Sequence, residues 1–484
     1  MSYFQKINDY TIIILSNCLF VLLPLVFILG NAAINITLTL LLVLFIYSTF
    51  IKKDFTIYGN IYFKILLLFW AYLIINSTLI NFNENSLIKS FAFVRFLLLP
   101  FAIIYFLKNK IINEKIIFYF FVIIISLVSI DIIFQYVTGK NYLGYIPKMC
   151  TTVSSGLMNL SNLDPKFEIV NIIDHPTTTG DQVLINCERY SGIFNEELIA
   201  GSYLLLFALP FLVFLMIFNK KIRYSKFLFL ISSILIITAS ILTGDRAPVL
   251  IIVIAFLLFF LFYGESLKKK ILSIILGFGI LSILIYSIPH LKHRFISWPM
   301  QTFMHENDDN GVFVDRKEET LFKIFVFETQ WGLHFLTAYD IAKENIFFGS
   351  GVKSFREKCQ KYDIEYLKSK YLDPSIVKEY KDGPNTGCST HPHNIYLELL
   401  AETGVLGLSI FIFFLSTTLI RVYLQNKAKN NIIFISTLVI LISLFFPFKP
   451  TGSFFSTFNA YIMWIIISFY LYWSEIKFKK LSDD

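Results

Sequence analysis

Runs of about twenty apolar residues recur from one end of this chain to the other. At a rise of 1.5 Å per residue, roughly 20 helical residues cross a hydrocarbon core of roughly 30 Å. About twelve such windows stand near residues 11–29, 32–51, 60–80, 88–107, 116–137, 197–218, 227–243, 248–263, 271–288, 395–420, 431–447 and 457–473. A helix satisfies its backbone hydrogen bonds within one segment, which lipid demands. With 56% hydrophobic residues, 53 Phe and only 16% charged residues, the chain is excluded from the soluble globular class. The predicted class is an all-α integral membrane protein of about twelve transmembrane helices.

Orientation follows from the basic residues, which short loops retain on the cytoplasmic side. One alternate set of connections carries Lys52 and Lys53, Lys108 and Lys110, Lys220 to Lys226, Lys268 to Lys270, Arg421 to Lys429, and Lys477 to Lys480; the other set carries little beyond Arg246 and Lys449. Both termini are therefore predicted to be cytoplasmic, with residues 138–196 and 289–394 outside. The net charge of +8 is mostly this topological signal, so no nucleic-acid partner is expected. The first apolar run lacks a cleavage pattern and reads as a retained helix. No internal repeat or Pro- or Gly/Ser-rich linker divides the chain. The expected organisation is one membrane domain: residues 1–288 with nine helices and the external loop 138–196, the large external loop 289–394, and residues 395–484 with three helices and a cytoplasmic tail.

Within the large loop, residues 316–345 have helical character, Phe347-Phe348-Gly349-Ser350-Gly351 marks a turn, and the acidic stretch 305–311 reads as a solvated loop. Four of the five cysteines fall in the outside segments. Two readings stand for them: disulfides joining Cys150 to Cys187 and Cys359 to Cys388, as an oxidising compartment favours, or buried free thiols. No CxxC pair points to zinc.

Three polar motifs stand immediately ahead of apolar runs, all on the predicted outer side: Glu188-Arg189-Tyr190-Ser191-Gly192, Gly244-Asp245-Arg246-Ala247-Pro248 and His391-Pro392-His393-Asn394. Each precedes an inward-running helix, whose N-terminal amides and dipole favour anions. In the third motif Pro392 suits a first helical turn and Ser389, Thr390 or His391 a cap, so His393 and Asn394 are expected in the opening turn of the tenth span. Asn195 is expected to cap the sixth span, with Glu196 and Glu197 in its first turn. Arg246 either serves a site or snorkels to headgroups or pairs with Asp245. Glu398 and Glu402 share one helix face and either line a polar groove or satisfy neighbouring helices, while Gly404 and Gly407 permit close helix contact. Arg95, midway along the fourth span, either joins helices or reaches a cavity.

These motifs resemble those of bacterial O-antigen ligases and the related O-antigen polymerases, integral-membrane glycosyltransferases acting on undecaprenyl-diphosphate-linked glycans. His393-Asn394, followed after nine residues by Gly404-Val405-Leu406-Gly407, is similar to the family's histidine signature at the end of its large periplasmic loop. Arg189 in Arg189-Tyr190-Ser191-Gly192-Ile193-Phe194 and Arg246 in Gly244-Asp245-Arg246-Ala247 match its two arginine positions. Many relatives carry an Asn-containing segment after the first arginine motif, where this chain has Glu196-Glu197. The resemblance implies a multi-pass protein of the bacterial inner membrane with its site facing the periplasm, and inversion at the anomeric carbon.

Breaking a sugar–diphosphate bond develops anionic charge that fixed cations stabilise. Arg189 and Arg246 suit that role, since guanidinium forks bind phosphate oxygens in pairs. His393 either takes the proton from the acceptor hydroxyl or orients a phosphate. His391, Asn394, Glu197, Glu398 and Arg95 are possible supporting residues. Neither HExxH nor a carboxylate cluster occurs, so no metal or other cofactor is expected. The expected partners are an undecaprenyl-diphosphate-linked glycan donor, a lipid A core or glycan acceptor, and membrane lipids. The leading expectation is a ligase delivering glycan to lipid A core; the alternatives are a polymerase extending the glycan on its carrier and, less favoured because no inverted repeat is visible, a lipid-linked glycan transporter.

Overall fold

A computed structural model describes residues 3–153, 172–176, 182–195, 197, 199–205, 225–249, 251, 267–297, 299–300, 305–307, 313–315, 325, 329–371, 387–426, 432–447 and 449–472. Among these, six helical stretches are long and apolar enough to cross a membrane: Tyr10–Leu29, Asn31–Lys52, Ile61–Ile80, Glu84–Lys108, Tyr119–Thr138 and Ile395–Ile420. They coincide with the first five predicted spans and the tenth. Most of the spans expected at 197–218 and 248–263 lies outside the described residues, as do Glu196 and residues 316–324. Helix dominates, as expected for the class. Two small antiparallel sheets add to it in the segments predicted to lie outside, which the helical expectation did not foresee.

The chain divides into two compact units. The first comprises residues 1–114, 303–434 and 445–484. Its helices are α1 (Tyr3–Leu29), α2 (Asn31–Lys52), α3 (Ile61–Ile75), α4 (Glu84–Ala92) and α5 (Val94–Lys108). The fourth predicted span is thus two helices meeting at Phe93, whose ring packs against Phe454 and Phe455 at 5.5 and 5.0 Å. The core forms where α5 meets the C-terminal helix, residues Thr457–Tyr472: the side chains of Phe96, Leu97 and Leu99–Leu107 are buried, and so are Ala460–Tyr472.

The same unit holds strands His305–Asn307 and Phe313–Asp315, which pair antiparallel, so the stretch read as a loop begins as a strand. Asn310-Gly311 between them is a hairpin turn signal. Next come the helix Gln330–Glu344, capped by Thr329 Oγ1 accepting from Gly332 N, and the helix Ile364–Tyr371. Leu333, Ala338, Ile341, Phe355, Tyr362 and Leu367 form a buried cluster with Ala401 of the long helix Ile395–Asn426. A disulfide joins Cys359 to Cys388, with Cα atoms 4.9 Å apart.

That long helix is broken at Gly404, where φ is 66° and ψ −174°. A break at membrane depth would orphan backbone groups, at several kcal/mol each in hydrocarbon. The turn 346–351 serves them instead. Ser350 N donates to Ala401 O and Gly351 N to Glu402 O, each at 2.9 Å; Val405 N donates to Ile346 O at 2.8 Å and Leu406 N to Phe347 O at 3.3 Å. Tyr72 Oη donates to Thr403 O at 2.5 Å, and Asn76 Nδ2 holds the turn through Phe348 O at 2.6 Å. Gly404 therefore serves a backbone rupture filled by a loop rather than the helix–helix contact expected of it. Gly407 does lie close to a helix: a Cβ there would stand 2.9 Å from Tyr72 Cε1.

The second unit comprises residues 115–302 and 435–444. It contains most of the helix Glu114–Thr138 and a three-stranded sheet of Lys148–Val153, Ile172–Pro176 and Gln182–Arg189, with the last strand central. Its register sets Cys150 opposite Cys187 and Lys148 opposite Arg189. The helices Ser225–Leu242 and Leu267–Ser287 follow, and Ile241, Val249 and Leu291 form a buried cluster with Leu281, Leu284 and Phe295 around it.

Candidate functional site

In the second unit the two arginine motifs come together. The first is anchored on the C-terminal part of helix Glu114–Thr138: Gly192 N donates to Gln135 Oε1 at 2.9 Å, while Gln135 Nε2 donates to Tyr145 O at 3.0 Å. Gly192 has φ +55°, and a Cβ there would lie 2.8 Å from Asp131 Oδ2, so both backbone and space call for glycine. Tyr190 N donates to Thr243 O at 3.3 Å, and its buried ring packs between Tyr136 and His290 at 5.3 and 5.1 Å. The Arg189 guanidinium forms an ion pair with Asp245. Asp245 is thus engaged by Arg189, a pairing the sequence did not suggest.

Arg246 opens a helical turn that runs to Val249. Its Nε donates to Arg294 O at 2.9 Å, and Arg294 Nε donates back toward Gly244 O at 3.4 Å. Arg294, in the π-helical turn His293–Ser297, was missed by sequence reasoning. A signal existed: His290, Lys292, His293 and Arg294 crowd the predicted outer end of a span, where basic residues are otherwise scarce. Three guanidinium-bearing residues, the backbone amides of a helical turn and one carboxylate make an arrangement suited to phosphate oxygens.

In the first unit the third motif forms a histidine cluster. Asn394, not Ser389, Thr390 or His391, caps the helix: its Oδ1 accepts from Tyr396 N at 3.0 Å and Leu397 N at 3.1 Å, and its Nδ2 donates to Pro447 O at 2.7 Å. The helix starts at Ile395, so Pro392 and His393 stand just before it rather than in its opening turn. The reason is conformational, since His393 has φ +57°, a left-handed geometry that cannot continue into an α-helix. Asn394→Ala is expected to cost roughly 1 kcal/mol for the lost cap, read as a lower melting temperature in detergent together with slower transfer.

The His393 ring lies 4.0 Å from His391, 5.4 Å from His334 and, edge-on, 4.6 Å from Trp331, all centroid to centroid. Carbonyl oxygens only accept, which fixes two tautomers. His391 donates from Nε2 to Thr451 O at 3.2 Å and accepts at Nδ1 from Thr390 Oγ1 at 2.9 Å. Buried His334 donates from Nδ1 to Gly387 O at 2.9 Å. Burial pushes the His393 pKa down to about 3, with His391 and His334 adding to the fall. His391 is pushed down to about 4 by burial and then by the charge of Lys353. Both imidazoles are therefore neutral at neutral pH, the form that accepts a proton. His334, which the sequence placed only on a helix, joins them; its signal was the Trp331-x-x-His334 spacing that puts both rings on one helix face.

Glu398 is buried and accepts from Phe454 N at 2.7 Å. Arg95 joins helices: its Nε donates to Asn35 Oδ1 of α2 at 3.2 Å, its Nη1 bonds Ala92 O of α4, and its guanidinium lies 4.5 Å from the Phe96 ring centroid. Glu197 is exposed and not helical, Asn195 sits in a turn with φ 50°, and Ala200 is helical. Cys150 and Cys187 are placed by backbone register alone. Among the described residues no group of three or more His, Cys, Asp or Glu side chains is arranged to hold a metal ion.

Residues 231–412 match the family model described as O-antigen ligase. Over that domain the chain resembles the O-antigen ligase family. That domain takes in Arg246, Arg294, His334, Lys353, His391 and His393, and Arg189 joins it through Asp245. Members of the O-antigen ligase and polymerase family are membrane glycosyltransferase-like enzymes. No curated protein matches the chain.

Proposed function

We propose that the protein is a multi-pass glycosyltransferase of the bacterial inner membrane that moves a glycan from undecaprenyl diphosphate to a lipid A core acceptor at the periplasmic face. The observation that carries this reading is a neutral, part-buried imidazole, His393, ahead of a membrane helix inside an O-antigen ligase domain that also contains Arg246. Arg246 and Arg294, with Arg189 set by Asp245, hold the diphosphate oxygens; charge-assisted hydrogen bonds of this kind contribute roughly 1.5–3 kcal/mol each. The acceptor hydroxyl attacks the anomeric carbon as His393 takes its proton. The bond from that carbon to the diphosphate breaks, and undecaprenyl diphosphate leaves with the electron pair, its charge met by the guanidinium groups. Attack opposite the leaving group inverts the anomeric centre.

The lipopolysaccharide banding pattern of a deletion strain tests the reading. Loss of a ligase leaves bare core and carrier-linked chains, whereas loss of a polymerase leaves core bearing single repeat units. Complementation with Arg246→Ala is expected to leave the deletion pattern in place at wild-type protein level. Normal ladders from that variant would remove Arg246 from the site.

A further inference from the structure

Beside the histidines runs a chain of charged and hydroxyl groups that the transfer step does not use. Lys353 has left-handed backbone, φ 63°. Glu402 holds it there: its carboxylate accepts from Lys353 N at 2.6 Å and from Phe355 N at 3.2 Å. The Lys353 ammonium donates to Ser453 Oγ, Ser453 Oγ donates to Glu398 Oε1 at 2.5 Å, and Phe454 N donates to Glu398 Oε2 at 2.7 Å. Glu398, Glu402 and Ser453 are all buried.

Two residues before Ser453, Thr451 N donates to His393 O at 2.8 Å, and Thr451 O takes the His391 Nε2 proton at 3.2 Å. One short segment, 451–454, is therefore gripped on one side by the lysine–serine–glutamate chain and on the other holds the His-Pro-His turn. Apolar residues of similar volume pack a loop as well as buried ions do, often at lower cost. Ionic groups kept there point to a use beyond packing.

We propose that Lys353 is a positioning residue for the histidine base: through Ser453 and Glu398 it fixes the 451–454 segment, and with it the orientation of His391 and His393. The proposal rests on the transferase reading. The ammonium has a second consequence, because its positive charge opposes protonation of His391. The charged and titratable groups acting on His391 are Lys353 and Arg356, from the segment after the 346–351 turn, and His334 from the helix Gln330–Glu344; those acting on His393 are His391 and His334.

The test uses purified full-length Lys353→Met, Lys353→Arg and Ser453→Ala proteins. Transfer rate is followed against pH, and the imidazoles are titrated by NMR after ¹³C-histidine labelling. Lys353→Met is expected to slow transfer about tenfold or more and to raise the His391 titration by about one pH unit. Ser453→Ala breaks the chain but keeps the charge, so it slows transfer and leaves the His391 titration in place. Lys353→Arg restores most of the rate. A folded Lys353→Met protein with wild-type rate and wild-type histidine titration overturns the proposal. If that variant does not fold, a wild-type rate from Ser453→Ala overturns it equally. A wild-type protein that transfers no glycan defeats the transferase reading instead, and the titration then still decides whether Lys353 acts on the imidazoles.

Discussion

His393→Asn is expected to lower glycan transfer by roughly 10²–10⁴-fold, the usual worth of a general base, with folding and donor binding retained. Asparagine tolerates the left-handed backbone at this position, φ +57°, better than alanine does, so the variant removes the base without adding strain. Reconstituted transfer at saturating donor measures the effect; a rate within a few-fold of wild type would exclude the imidazole from proton transfer. The sign with pH follows from the depressed pKa of about 3. The unfolded chain titrates near 6.5, so the neutral ring contributes its full stabilisation above that value and loses it as pH falls toward the folded pKa. With its pKa depressed by burial, the ring is a weak base.

Gly404→Ala is expected to remove most of the folded protein. Both φ and ψ at this position lie in a region that is essentially glycine-only, and a Cβ there would stand 2.5 Å from Phe348 N in the inserted turn. Backbone strain and overpacking each cost about 1–3 kcal/mol, so roughly 2–6 kcal/mol together. Size-exclusion profiles and thermal unfolding in detergent read the loss. Gly277→Ala is the matched control, since a Cβ there meets nothing within 4 Å. Equal stability of the two variants would mean that the break does not depend on glycine.

The long apolar runs were legible because length alone decides whether a helix crosses lipid, and the spans at 11–29, 32–51, 60–80 and 116–137 match helices to within a few residues. Arg189, Arg246 and His393 stand out as candidates for the opposite reason, as costly polar groups beside apolar runs. What stayed hidden depends on groups distant in sequence. Phe93, where the fourth span divides, packs against Phe454 and Phe455, about 360 residues away. Nothing near Gly404 announces that its unpaired carbonyls find partners in 346–351, because local pattern reads side-chain periodicity and is blind to backbone pairing between remote segments. Arg294 and Lys353 escaped for a similar reason: each lies in a short turn and is engaged by carbonyls and hydroxyls contributed elsewhere. Asn394 was named, but its capping role was assigned a few residues too early because Pro392 suggested an earlier start.

The turn that fills the ruptured helix also constrains biogenesis. Residues 346–351 leave the ribosome about fifty residues ahead of Gly404, yet the carbonyls of Ala401 and Glu402 are sealed only once that turn has docked. Maturation of the polar insertion and final seating of the hydrophobic segment thus form one cooperative event, and a defect in either is registered by quality control as a defect in both.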